Sequence, residues 1–233
     1  IEAAREAAAG TSWDVRLQRE GLFDDVCADL VADGVETVAL EGSVSHARFE
    51  FVSERFGGRV VLCDQWVQSL REVKDADEIH AIERAALLTD AAFDHVLGVL
   101  APGMREIDVS LALEVYMRSN GSEGLAFDPI VASGQNSSKP HAGVSLRAIE
   151  PGDLLTMDFA ARVDGYCADM TRTVVVGRHA TEEQRRVYDA VLAANAAGNA
   201  AVHAGAHARA VDAAARDLLA ARGLGDAFGH SLG

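Results

Sequence analysis

Apolar and polar positions change their spacing several times along this chain, and each change marks an element. From Asp75 the spacing is helical: Ile79, Ile82, Ala86, Ala91-Ala92-Phe93, Val96 and Leu100 recur on one face, and Pro102-Gly103 stops the run. A second helix is predicted over residues 106–119, with Ile107, Leu111, Leu113, Val115 and Met117 as apolar surface and Asn120-Gly121 at its end. A strand over 129–133 and a Gly- and Ser-rich loop over 134–143 follow. The period then drops to two. Leu155, Met157 and Phe159 point one way and Thr156, Asp158 and Ala160 the other, as in a half-buried strand. Thr181 with Gln184 is a capping-box signature for a helix ending near residue 202, and the Ala-rich run 208–221 is another helix.

The first third has a different rhythm. Helices over 23–32 and 46–56 alternate with strands over 37–40 and 59–63, which predicts a small, mostly parallel α/β sheet. The charged stretch 71–78 is the expected junction. An α/β domain over residues 1–72 and a helix-and-hairpin domain over 73–233 are therefore expected. The opening IEAAREAAAG reads as a helix entered midway, with no Met and no capping residue ahead of it.

The candidate chemistry lies in the hairpin. Val163-Asp164-Gly165-Tyr166 contains the Asp-Gly pair of a two-residue turn, in which both central residues need positive φ. With that pair at the tip, Val163 faces Tyr166, Ala160 faces Asp169, and Asp158 faces Thr171. Asp158 and Asp169 become diagonal neighbours on one face, roughly 6–8 Å apart at Cβ. A solvated Asp near a turn is the ordinary explanation for either residue alone. Two anions aimed at each other are destabilising unless a cation lies between them, and oxygen donors suit a hard divalent metal. Thr171 and Thr173 share that face, where hydroxyls hold carboxylate lone pairs in place. Arg172 points to the opposite face as an ion-pair partner, and Tyr166 packs at the hairpin end.

The flanking segments sharpen this reading. Upstream lies Ser133-Gly134-Gln135-Asn136-Ser137-Ser138-Lys139-Pro140-His141-Ala142-Gly143. After the hairpin come Met170-Thr171-Arg172-Thr173 and, much later, Phe228-Gly229-His230-Ser231-Leu232-Gly233. In order and spacing these resemble the pita-bread metallopeptidases, in the Xaa-Pro aminopeptidase and Xaa-Pro dipeptidase (prolidase) branch. The resemblance implies an α/β N-terminal remnant followed by an α+β pita-bread catalytic domain lacking its C-terminal part. It implies that Asp158 and Asp169 are ligands of a dinuclear metal site, Asp158 terminal and Asp169 bridging. It implies that His141 and His230 are catalytic and substrate-contacting residues, with His141 moving protons.

The same likeness implies metal-dependent hydrolysis of the Xaa-Pro bond in peptides with proline second, by two divalent ions, Mn²⁺ first and Co²⁺ or Zn²⁺ as alternatives. It also implies a homodimer built through an N-terminal domain without chemistry of its own. The family's metal-ligand His would fall one position after Gly233, and its two glutamates later still. The ligand set is thus incomplete in this sequence, which reads as a fragment and, as it stands, as inactive. Two other readings are weighed. A non-catalytic relative that binds or scaffolds would be expected to lose its ligands, yet Asp158, Asp169 and His141 are all present. A creatinase-like C–N hydrolase needs no metal carboxylates, so the two aspartates favour the peptidase.

Composition bounds the rest. A chain of 233 residues, 49% hydrophobic and 24% charged, suits a globular protein of one or two domains. The net charge of −15 argues against a nucleic-acid-binding face or an anionic membrane surface as partner. No apolar stretch approaches the roughly 18 residues of a membrane span. Cys27, Cys63 and Cys167 are odd in number and lack metal-type spacing, so they read as buried thiols of a reducing cytoplasm. His46, His80, His95, His179, His203 and His207 belong to no constellation.

Overall fold

In the computed structural model residues 2–232 are described; Ile1, the first residue of IEAAREAAAG, and Gly233, the last residue of the His230 motif, lie outside the described residues. The chain divides into two compact units, Ile1–Lys74 and Asp75–Gly233.

The first unit holds α1 Glu2–Ala8, α2 Leu22–Ala32, β1 Thr37–Glu41, α3 His46–Phe56, β2 Arg59–Cys63 and α4 Trp66–Glu72, of which α2 to β2 follow the alternation expected from the sequence. β1 and β2 pair in parallel, from Thr37 opposite Arg59 to Glu41 opposite Cys63. Cys27, Val52 and Phe56 are buried together, with Phe23, Leu30 and Val38 packed against them. Gly57, with φ of 68°, ends α3 in the left-handed region that suits glycine. α4 escapes the sequence pattern because its apolar residues Trp66, Val67 and Leu70 remain exposed, leaving no buried stripe to read.

The second unit opens with α5 Ala76–Val99 and α6 Glu106–Ser119. Asp75 caps α5 through a reciprocal pair: it accepts from the Glu78 N–H at 2.9 Å, and Glu78 accepts from the Asp75 N–H at 2.8 Å. Two short strands follow, β3 Gly124–Leu125 and β4 Ile130–Ser133, and then a 3₁₀ turn over Gly134–Ser138. The hairpin supplies β5 Leu154–Phe159, β6 Ala161–Val163, β7 Tyr166–Cys167 and β8 Met170–Val175. α7 Glu182–Ala201 and α8 Ala208–Ala221 complete the unit, α7 opening on the expected Thr181–Gln184 capping box.

Leu155, Met157 and Phe159 are fully buried, and Thr156 and Asp158 lie between them on the more open face. Each such apolar side chain contributes about 1.5–3 kcal/mol of burial free energy. Val96, Val109, Leu113, Met117 and Val131 pack with them, so the core lies between the α5–α6 pair and the sheet.

Three details differ from the pattern reading. The buried seam of α5 is Ala81, Ala85, Thr89, Ala92 and Val96, whereas Ile79 is 46% exposed. Small residues line this seam, Leu88 and Phe93 pack partly buried beside it, and Leu87 and Leu97 stay exposed. In α6 the buried face is Glu106, Val109, Ser110, Leu113 and Met117, whereas Leu111 and Val115 are exposed. The apolar residues of α6 thus lie on two faces and not on one. Cys167 is exposed and Cys63 is half-buried, which corrects the expectation of buried thiols. Cys167 pairs with exposed Arg162 on the outward side of the short β6–β7 ribbon.

Candidate active site

The hairpin folds in the expected register. Asp164 and Gly165 take φ of 50° and 79°, the left-handed pair that a tight two-residue turn demands. Val163 pairs with Tyr166, and Asp158 pairs with Thr171. Between these pairs the ladder breaks. β5 and β8 belong to a three-stranded sheet with β4, while β6 and β7 belong to another with β3. The gap falls at Ala160 and Ala168-Asp169. There the Ala161 N–H donates to the buried Thr89 hydroxyl at 3.0 Å, and the Ala160 carbonyl accepts from the Ala126 N–H at 3.2 Å. The Ala160 carbonyl and the Ala161 N–H are thus satisfied from outside the hairpin, while the Ala168 N–H still donates to the Ala161 carbonyl at 3.1 Å beside Asp169.

Asp158 and Asp169 are close enough for their carboxyls to interact. The Asp169 carboxyl is raised above the ordinary aspartate value, first by desolvation, then by the Asp158 charge and a hydrogen bond with that carboxylate. Thr171 donates to Asp158 Oδ1 at 2.9 Å, the hydroxyl support expected on this face. Thr173 instead pairs with Thr156 across the strands, hydroxyl to hydroxyl, at 3.1 Å. Arg172 lies 3.8 Å from Asp90 as an ion pair. The Tyr166 hydroxyl donates to Glu78 at 2.6 Å, and Arg84 pairs with Asp164, so α5 holds the hairpin tip.

Asp169, Met170, Thr171 and Arg172 form one wall of a cavity of about 640 Å³ whose other walls come from α7, α8 and the segment after them. His230 lines the same cavity. Arg216 holds this histidine's backbone carbonyl at 2.8 Å, and the Phe228 ring meets the imidazole edge-on at 5.0 Å. His141 stands exposed in the turn after Pro140 and is not among the residues lining this cavity. Among the described residues, no group of three or more His, Cys, Asp or Glu converges on one point. The paired carboxylates suit a hard divalent ion as part of a ligand set rather than as a complete one.

Pattern reading missed a buried carboxylate in the same unit. Glu106, in the first turn of α6, is fully buried. Its Oε1 accepts from the Ser133 N–H at 2.7 Å and the Ser133 hydroxyl at 2.8 Å. Its Oε2 accepts from the Ser145 hydroxyl at 2.5 Å and the Ser145 N–H at 3.2 Å, and Asn136 donates to both oxygens. Burial alone would raise this carboxyl, but the bonds from Ser145, Ser133 and Asn136 outweigh it and hold Glu106 below the usual glutamate range. The signal was present in the sequence: Glu106 stands in helical phase with Val109, Ser110, Leu113 and Met117.

Comparison with known proteins gives the class to which this fold belongs. Residues 80–233 match metallopeptidase family M24, and the chain belongs to that family. An uncharacterized peptidase of Bacillus subtilis is 47% identical over 72% of this chain and 47% of its own length. The Xaa-Pro dipeptidase of Pyrococcus furiosus is 36% identical over 91% of this chain and 60% of its own. Among solved structures, an Xaa-Pro dipeptidase from Bacillus anthracis superposes with a TM-score of 0.91 at 34% identity, over 99% of this chain and 64% of that one. The pita-bread fold expected from the sequence is therefore present. The chain spans about half to two thirds of the length of these relatives.

Proposed function

We propose that the protein carrying this chain is a divalent-metal-dependent peptidase that cleaves the Xaa-Pro bond of dipeptides or of peptide N-termini. The carrying observation is the Asp158–Asp169 pair, two interacting carboxyls of which Asp169 lines a cavity that His230 also lines. Membership of the M24 family and likeness to Xaa-Pro dipeptidases support the substrate class.

In this reading Asp158 and Asp169 hold metal, with Thr171 orienting Asp158. Bound divalent ions supply carbonyl polarisation and an acidified water. His141 and His230 contact the substrate, and His141 moves a proton. Mn²⁺ is the proposed metal, since carboxylate oxygens dominate the donors. A homodimer is proposed through the first unit, whose Leu62, Trp66 and Leu70 are exposed. The cytoplasm is the proposed compartment, supported by three cysteines without a disulfide.

The test is hydrolysis of Xaa-Pro dipeptides and longer Xaa-Pro peptides by the complete polypeptide, with Mn²⁺, Co²⁺ or Zn²⁺ supplied in turn. Asp169→Ala is expected to remove activity by at least about a thousandfold, the scale of losing metal-assisted catalysis. Hydrolysis of neither substrate with any metal, or full activity in Asp169→Ala, would overturn the reading.

A further inference from the structure

The Glu106 network is larger than α6 needs. A first-turn carboxylate commonly satisfies its own helix N-terminus, but this one turns inward and takes donors from the two ends of one loop. Ser133 is the last residue of β4, whose Ile130 pairs with Asp158. Ser145 lies beyond His141, and Asn136 lies in the 3₁₀ turn before it. Helix backbone adds to the clamp: the Glu106 N–H donates to the Arg147 carbonyl at 3.0 Å, and the Ile107 N–H to the Ser145 carbonyl at 3.1 Å. Arg147 closes the ring, donating to the Ser133 hydroxyl at 2.6 Å and to Asp153. Asn136 in turn accepts from the Lys139 ammonium at 3.1 Å.

From this geometry we infer that Glu106 is a positioning residue that sets the 133–145 loop, and with it His141, relative to the strand bearing Asp158. One buried carboxylate fixes both points where the loop leaves and rejoins the fold. His141 itself is exposed in the turn after Pro140, so its placement depends on those anchors. The value of this placement for catalysis rests on the peptidase reading above; the placement itself does not.

The experiment uses the 233-residue chain with Glu106→Gln and Glu106→Asp, read by amide hydrogen exchange and by the His141 imidazole resonances, assigned with His141→Gln. Gln keeps the shape but turns one acceptor oxygen into a donor NH₂. It is expected to speed exchange at the Ser133 or Ser145 amide at least tenfold, leave the Leu113 and Leu155 amides protected, and shift the His141 signal from its parent position. Glu106→Asp is expected to recover part of both changes. An unmoved His141 signal with unchanged loop exchange in folded Glu106→Gln overturns the inference. If that variant does not fold, Asn136→Ala and Ser145→Ala carry the same readouts: loop-confined changes in both support the inference, and changes in neither overturn it.

In the complete polypeptide, Glu106→Gln is expected to lower kcat more than tenfold with KM changed less than threefold. A parent protein that hydrolyses no Xaa-Pro peptide sinks the proposed function while leaving the loop readouts standing. Loop readouts that do not move sink this inference even in an active enzyme.

Discussion

Glu106 and Asp169 show how neighbours decide what desolvation does to a carboxyl. Glu106 is fully buried yet held below its ordinary range, because hydroxyls, an amide and backbone N–H groups all donate to it. Asp169 is raised by desolvation first, and its Asp158 neighbour, another anion, adds to the rise instead of offsetting it. The Glu106 case has a definite sign. A folded pKa below the unfolded one, about 4.3, means that the native state binds the proton less readily. The stabilisation is then present above that value and is lost as pH falls through the folded pKa. A protonated Glu106 resembles Gln, with one acceptor oxygen and one donor. Glu106→Gln is therefore expected to destabilise the chain at pH 7, by about 1–3 kcal/mol for each buried donor left without an acceptor. The difference from the parent should shrink as pH drops below about 4. Urea melts at pH 7, 5 and 3.5 check this, and a difference independent of pH would remove the charge from the explanation. The parent's own decline mixes in Asp108, Asp153 and Asp212, also held low, so only the difference isolates Glu106.

At the scale of elements, the hairpin is two ribbons joined by a break, and the break depends on a helix far away in sequence. The Thr89 hydroxyl donates to the Ala85 carbonyl at 2.8 Å and accepts from the Ala161 N–H. Thr89→Val keeps the shape of the buried seam but strands that N–H, at a cost of about 1–3 kcal/mol. The Asp169 segment should loosen with it. Faster amide exchange across residues 160–169 with an unchanged β4–β5 ladder is the expected result, and uniform destabilisation would count against a local role. The register was legible in the sequence because period-two alternation and the Asp164-Gly165 turn are local signals. The break was not, since its acceptor lies on α5, seventy-two positions away from Ala161. Glu106 was missed for a related reason: a Glu in a first turn usually faces water, and only the phase of Val109 and Leu113 marks it as inward. The pairing of Asp158 with Thr171 could be read, but the surroundings of His141 could not, because its loop is placed by tertiary hydrogen bonds rather than by a repeating pattern.

At the scale of the whole molecule, what the chain can hold depends on what surrounds the carboxylate pair. The cavity beside Asp169 is lined by apolar side chains of α7 and α8, including Val187, Val191 and Leu219. Tyr188, Val191 and Leu192 of α7 are each about half exposed. Apolar exposure of this kind attracts hydrophobic dyes. Metal affinity is set by the donor count, and among the described residues no third His, Cys, Asp or Glu joins Asp158 and Asp169. Two carboxylates offset only part of the dehydration of a divalent ion, which takes six or more oxygens. The 233-residue chain is therefore expected to bind Mn²⁺ weakly, with no tight second ion, and to show no Xaa-Pro hydrolysis. Removing the repulsion should matter more than adding metal. Asp169→Asn is expected to raise the melting temperature in chelator at pH 7, because an amide donates to Asp158 where an anion repelled it. The same variant should abolish whatever stabilisation Mn²⁺ gives the parent. Calorimetry and thermal melts with and without Mn²⁺ decide the point. Two tight sites on this chain would mean that ligands other than this pair hold the metal, and a lower melting temperature for Asp169→Asn in chelator would mean that the two carboxylates are not in electrostatic conflict.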